Sequence, residues 1–132
     1  MSMNVGQVMS RPVLATTPRA SVRDIAAQLV RGGISGMPVT DRDGKIVGIV
    51  TEYDIVNALI EGKTLENLSA QDIMASDTVA LDVSAEIDDA LKIFKERHVL
   101  RVPVTENGKL VGILARTDAL RGLLDEPEFL IF

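Results

Sequence analysis

With 46% hydrophobic but only 3% aromatic residues, this chain of 132 must build its core from Val, Ile, Leu, Met and Ala, a composition that favours sheet packed by helices. A net charge of -5 without a basic stripe argues against nucleic-acid binding, and the absence of cysteine excludes disulfides, thiolate nucleophiles and zinc-thiolate clusters. No apolar run approaches the ~20 residues that span a bilayer and no signal-peptide core stands at the N-terminus, so the expectation is a soluble, cytoplasmic protein.

In chain order, Asn4 opens a short helical turn with Gln7 as its reciprocal capping partner. A short strand is predicted near Leu14–Thr16, and Ser21 then opens an amphipathic helix whose inner face carries Val22, Ile25, Ala26 and Leu29. Gly32 and Gly33 end that helix. A strand from Met37 to Thr40, a tight glycine turn and a strand from Ile46 to Val50 follow, and a helix from Glu52 to Ile60 closes the series. The series then starts again. Sliding the sequence by 65 residues places Met9 on Met74, Asp24 on Asp89 and Pro38-Val39-Thr40 on Pro103-Val104-Thr105. After the hairpin turn, one residue shorter in the second copy, a shift of 64 places Gly48 on Gly112 and Asp54 on Asp118. Ser69 with Asp72 repeats the cap, a strand is expected over Thr78–Leu81, and Ser84 is expected to open the helix bearing Ile87, Ala90, Leu91 and Phe94. Strands over Val102–Thr105 and Leu110–Ala115 and a helix over Thr117–Leu124 complete a second β-α-β-β-α series. Half the chain holds too little core to be comfortable alone, so the two copies are expected to pack through their sheets about a pseudo-two-fold axis.

Thr51-Glu52-Tyr53-Asp54 stands where strand gives way to helix. Taken alone it reads first as a capping box; the same physics also allows a nucleotide site, in which helix N–H groups take phosphate and the carboxylate takes the ribose hydroxyls. Ala115 cannot cap, yet Asp118 remains, flanked by Arg116 and Thr117, so a cap alone does not account for that aspartate. Gly48 and Gly112 mark either close packing or ligand access. Arg101 is either a surface residue or a bidentate phosphate contact. His98 is the one histidine, and no metal-ligand spacing or nucleophile-base pair is present, so neither a metal site nor catalysis is expected.

The heads "VMSRPVLATTPRASV" and "IMASDTVALDVSAEI" with the tails "GMPVTDRDGKIVGIVTEYDI" and "RVPVTENGKLVGILARTDAL" resemble the CBS domain in tandem, the Bateman module, here stand-alone. The resemblance runs from about Val5 to Leu124. It divides the chain into a first repeat at 1–62, a linker at 63–68, a second repeat at 69–124 and a tail at 125–132, and it implies an α+β fold of two β-α-β-β-α repeats. It further implies a non-enzymatic sensor, commonly a homodimer, that binds AMP, ADP, ATP or S-adenosylmethionine in the clefts between repeats and signals to a partner protein by conformational change. In the family pattern Asp54 and Asp118 contact ribose and Thr51 contacts phosphate; in the second copy that role passes to Arg116, Thr117 or Arg101. Pro12, Val13, Thr78, Met37 and Val102 would line the base pockets. The alternative expectation is a ligand-free dimerisation or protein-interaction module.

Overall fold

The computed structural model describes residues 3–11 and 13–124. They form two compact units, one built from the chain up to Val13 together with the chain from Val79 onward, the other from Leu14–Thr78. Among the described residues no helix is long and apolar enough to cross a membrane.

In the Leu14–Thr78 unit, α1 (Val22–Gly32) precedes the antiparallel hairpin of β1 (Gly36–Thr40) and β2 (Ile46–Thr51), followed by α2 (Glu52–Ile60) and the short α3 (Ala70–Ile73). The apolar periodicity of α1 seats Val22, Ile25 and Leu29 on Met37, Val39, Val50, Ile55 and Ala70 in one buried cluster. The other unit repeats the plan with β3 (Leu81–Asp82), α4 (Ile87–Arg97), β4 (Arg101–Glu106), β5 (Lys109–Ala115) and α5 (Arg116–Leu124). Its core joins Ile87, Ala90 and Phe94 to Val102, Val104, Leu114 and Ala119. Both hairpins shift register at the same place, between Val39 and Thr40 and between Val104 and Thr105.

Three sequence expectations are corrected. The strand expected at Leu14–Thr16 contracts to a single parallel bridge from Thr16 to Val39, and its counterpart lies at Leu81–Asp82, paired parallel to β4. The reason is chemical: the Val83 amide extends the second ladder by donating to the Thr105 carbonyl at 2.9 Å, whereas the equivalent residue, Pro18, has no N–H to donate. Ser84 does not open α4. Its amide and hydroxyl turn back to the Asp82 carboxylate, and the helix begins at Ile87, the counterpart of Val22. Ser21 does sit at the N-cap of α1 but makes no side-chain capping bond. The helix ends match: Gly33 and its counterpart His98 both adopt the left-handed conformation, with φ of 61° and 53°.

The heads are exchanged between the tails. Asn4 and Gln7 form their capping box, and the turn they hold docks in the Val79–Leu124 unit, where the Val5 amide donates to Ala85 at 2.7 Å and Gly6 to Val83 at 2.9 Å. The second head docks on the first hairpin in the same manner, with Ile49 and Ala75 exchanging backbone bonds of 2.9 Å in both directions. Gly48 and Gly112 face these heads. A Cβ on Gly48 would lie 2.5 Å from Met74 Sδ, and one on Gly112 would lie 2.5 Å from Met9 Sδ, so both glycines admit a methionine thioether to the strand.

The second head is capped by Asp72, whose carboxylate accepts from the Ser69 amide at 2.8 Å and the Ser69 hydroxyl at 3.0 Å. The amide first and the hydroxyl second hold this carboxyl below the ordinary aspartate range. The unfolded chain loses both bonds and returns to the ordinary value near pH ~4. The cap's contribution is therefore full above that pH and fades as pH falls through the lowered native value. Asp72→Asn is expected to reduce the urea midpoint at neutral pH and to converge with the parent in acid; parallel curves down to pH ~2.5 would contradict this assignment.

Candidate functional site

The start of α2 is set by a complete capping box. Thr51 Oγ1 accepts from the Asp54 amide at 3.3 Å, while Asp54 Oδ2 accepts from the Thr51 amide at 2.9 Å and the Thr51 hydroxyl at 3.0 Å. The Glu52 amide donates to the Ser35 carbonyl at 2.8 Å, tying the helix start to the loop before β1. Only one oxygen of the carboxylate is used. Among the described residues Asp54 Oδ1 has no hydrogen-bond partner.

The start of α5 keeps the aspartate and changes its surroundings. Asp118 is buried, 5% exposed, and its Oδ2 accepts from the Ala115 amide at 2.8 Å, the counterpart of the Thr51 contact. Ala115 offers no hydroxyl. The missing donor is supplied by Ser10, whose Oγ lies 3.3 Å from Oδ1 and 3.2 Å from Oδ2. Arg121 adds an ion pair to Oδ1 at 3.0 Å. Ser10 reaches this place because its backbone pairs with Ile113 in both directions, at 2.8 and 3.2 Å, the bonds that Ala75 makes with Ile49 in the other unit. Each unit thus has one hydroxyl on its aspartate, carried by the tail in one and by the head in the other.

The cross-strand neighbours change in step. Gly36 stands opposite Thr51, and Arg101 opposite Ala115. A Cβ on Gly36 would lie 3.0 Å from the Val50 carbonyl oxygen and 3.1 Å from Thr51 Cγ2, so the bare position accommodates the threonine methyl. With alanine at 115, the opposite position carries a long side chain.

Of the other residues singled out by sequence, Arg116 donates from Nε to the Val99 carbonyl at 2.9 Å and Thr117 is exposed beside Asp118. Arg101 opens β4 and is half-buried. Met37 and Val102 face opposite Val50 and Leu114 and are buried in the cores of their respective units. Val13 and Thr78 are half-buried, and Pro12 lies outside the described residues, as does the tail 125–132. Thr51 and Asp54 are thus brought together in one unit, and Asp118, Arg116, Thr117 and the strand pair Arg101–Ala115 in the other. Ser10 and Arg121 escaped the sequence reading. The signal was present: at the 65-residue shift Ser10 falls on Ala75, the reverse of the change from Thr51 to Ala115. Among the described residues no cluster of His, Asp or Glu is arranged to hold a metal ion.

Residues 5–61 and 70–125 each match the family CBS domain. The chain is 30% identical to protein MK0525 of Methanopyrus kandleri over 91% of its own length and 62% of that protein's. It is also 30% identical to the inosine-5'-monophosphate dehydrogenase of Methanocaldococcus jannaschii, over 87% of this chain but 22% of that enzyme. It therefore spans less than two thirds of either relative. Among solved structures, the CBS-pair protein CBSX2 from Arabidopsis thaliana matches with a TM-score of 0.83 and 28% identity, covering 94% of this chain and 96% of that one. CBSX2 has also been solved in complex with AMP. The CBS domain pair of protein MJ0100, in complex with 5'-methylthioadenosine and S-adenosyl-L-methionine, matches with a TM-score of 0.81 and 25% identity over 93% and 97% of the two chains. With the matches over 5–61 and 70–125 and the repeated α+β plan in agreement, the chain belongs to the CBS domain family as two consecutive copies.

Proposed function

We propose that the chain is a non-enzymatic regulatory module that binds an adenosine-containing ligand, AMP, ADP, ATP or S-adenosylmethionine, and passes that binding to a partner protein as a conformational change. The observation that carries this reading is the open Oδ1 of Asp54 at a helix N-terminus, in a chain similar to CBS pairs solved with AMP and with methylthioadenosine and S-adenosylmethionine. A carboxylate is an acceptor for the vicinal hydroxyls of ribose, and charge assistance makes each such bond stronger than a neutral one. The dipole at the start of α2 and the Thr51 hydroxyl favour a phosphate or other electron-rich group beside it. In the second copy, phosphate contact would fall to Arg116, Thr117 or Arg101.

Ligand changes the conformation only through different affinities for the two arrangements. A homodimer gives such arrangements an interface, and it is supported by exposed apolar residues one turn apart, Val56 and Ile60 on α2 and Leu120 and Leu124 on α5. Light scattering decides the oligomeric state. For ligand, calorimetry of the full chain with AMP, ATP and S-adenosylmethionine is expected to give saturable binding by at least one of them. Failure of all three at millimolar concentration would leave a protein-interaction module as the better reading.

A further inference from the structure

We propose that Ser10 and Arg121 occupy the Asp118 carboxylate in place of ligand, which leaves Asp54 as the carboxylate that binds; the second clause rests on the reading of Asp54 given above. A vicinal diol needs acceptor sites on a carboxylate. At Asp54 the hydrogen bonds converge on Oδ2 and leave Oδ1 open, whereas at Asp118 Ser10 reaches both oxygens, Arg121 takes Oδ1 and the Ala115 amide takes Oδ2. The Ser10 hydroxyl is the same donor that a sugar hydroxyl would be, so the two compete for one place. Arg121 also neutralises the charge that would strengthen a bond to sugar; its counterpart in the first copy is Asn57.

The two occupants differ in strength. Arg121 is 65% exposed, and an ion pair to so exposed a side chain is readily given up. Ser10, although also exposed, is held through its backbone: its own N–H and carbonyl are both bonded to Ile113, and the preceding Met9 packs on Gly112. Withdrawing the segment breaks a strand-like pairing, and turning the O–H alone leaves Oγ beside the carboxylate. A ligand at Asp118 therefore meets a competitor at both oxygens, delivered by the head segment, while one at Asp54 meets the Thr51 hydroxyl at Oδ2 alone and finds Oδ1 open.

The test is a titration of the wild-type chain and the variant Ser10→Ala/Arg121→Gln with AMP, S-adenosylmethionine and 5'-methylthioadenosine, following stoichiometry by calorimetry. The double variant is expected to bind one equivalent more than wild type, or to bind its second equivalent about 10- to 100-fold more tightly, the loss of one or two competing hydrogen bonds. If wild type binds none of the three and the double variant binds one equivalent, the role of Asp54 fails and the occupation of Asp118 stands. If the two proteins behave alike, the proposal is overturned. A ligand-free measurement runs beside it: once Asp118→Ala has been made, adding Ser10→Ala is expected to leave the melting temperature unchanged. Additive losses would show that Ser10 acts elsewhere and would overturn the proposal.

Discussion

Removal of residues 1–10 is expected to unfold the hairpin β4–β5 and helix α4, although these lie some seventy or more positions further along the chain. Val5 is fully buried among Leu81, Ile87, Ala90, Phe94, Val102, Val104, Leu114 and Ala119, and Met3, Val8 and Met9 pack around that cluster. Burying side chains of this size is worth roughly 1.5–3 kcal/mol each when complete, so one complete and three partial burials sum to about 5 kcal/mol. The truncation also strands the carbonyls of Ala85 and Val83 and the amide of Ile113, which now bond to Val5, Gly6 and Ser10. A loss on that scale rivals the entire stability of an ordinary domain, ~5–15 kcal/mol. Hydrogen exchange provides the measurement. Amides of β5 are expected to lose protection at least a hundredfold in the truncated chain, whereas Val5→Ala, with two methyl groups gone, costs about 2 kcal/mol. Unchanged protection at Leu114 would show that the head contributes little to this core.

This dependence also marks where sequence reasoning stops. The hairpins and α2 were legible to within a residue because short apolar runs, the turn glycines and the Thr51–Asp54 box are local signals. The strand at Leu14–Thr16 was not, because β propensity does not register that the neighbouring Pro18 cannot extend a ladder. Nor does any pattern state which tail a head packs on: Met9 and Met74 suit Gly112 and Gly48 equally well, and the pairing is decided by folding rather than by proximity in the chain. The site was legible in its aspartates and opaque in their partners for the same reason. Ser10 lies 108 residues from Asp118, and only the exchanged head brings them within bonding distance. Read alone, the change to Ala115 weakens a cap. Read with Ser10, it moves a hydroxyl from one segment to another.

Asp54→Ala is expected to lower affinity for an adenosine ligand by about 100- to 1,000-fold. Two charge-assisted bonds to a ribose diol are each worth ~1.5–3 kcal/mol, and losing most of that sum corresponds to two or three powers of ten in Kd. Stability changes much less, by about 1 kcal/mol, since the variant loses the carboxylate half of a cap while the Thr51 hydroxyl still accepts at the helix start. The separation between a large binding loss and a small folding loss is what distinguishes a ligand contact from a cap. Asp54→Asn keeps an acceptor without the charge and is expected to fall between the parent and the alanine variant. Thr51→Ala divides the two ligand groups. It keeps the carboxylate and its open Oδ1, so 5'-methylthioadenosine, which has no phosphate, should lose little, whereas AMP, towards whose phosphate the Thr51 hydroxyl would turn from Asp54 Oδ2, should lose about tenfold. Calorimetry on these variants with both ligands is the check. Equal losses for AMP and methylthioadenosine on Thr51→Ala would place the phosphate away from the α2 start, and full binding by Asp54→Ala would remove the carboxylate from the site altogether.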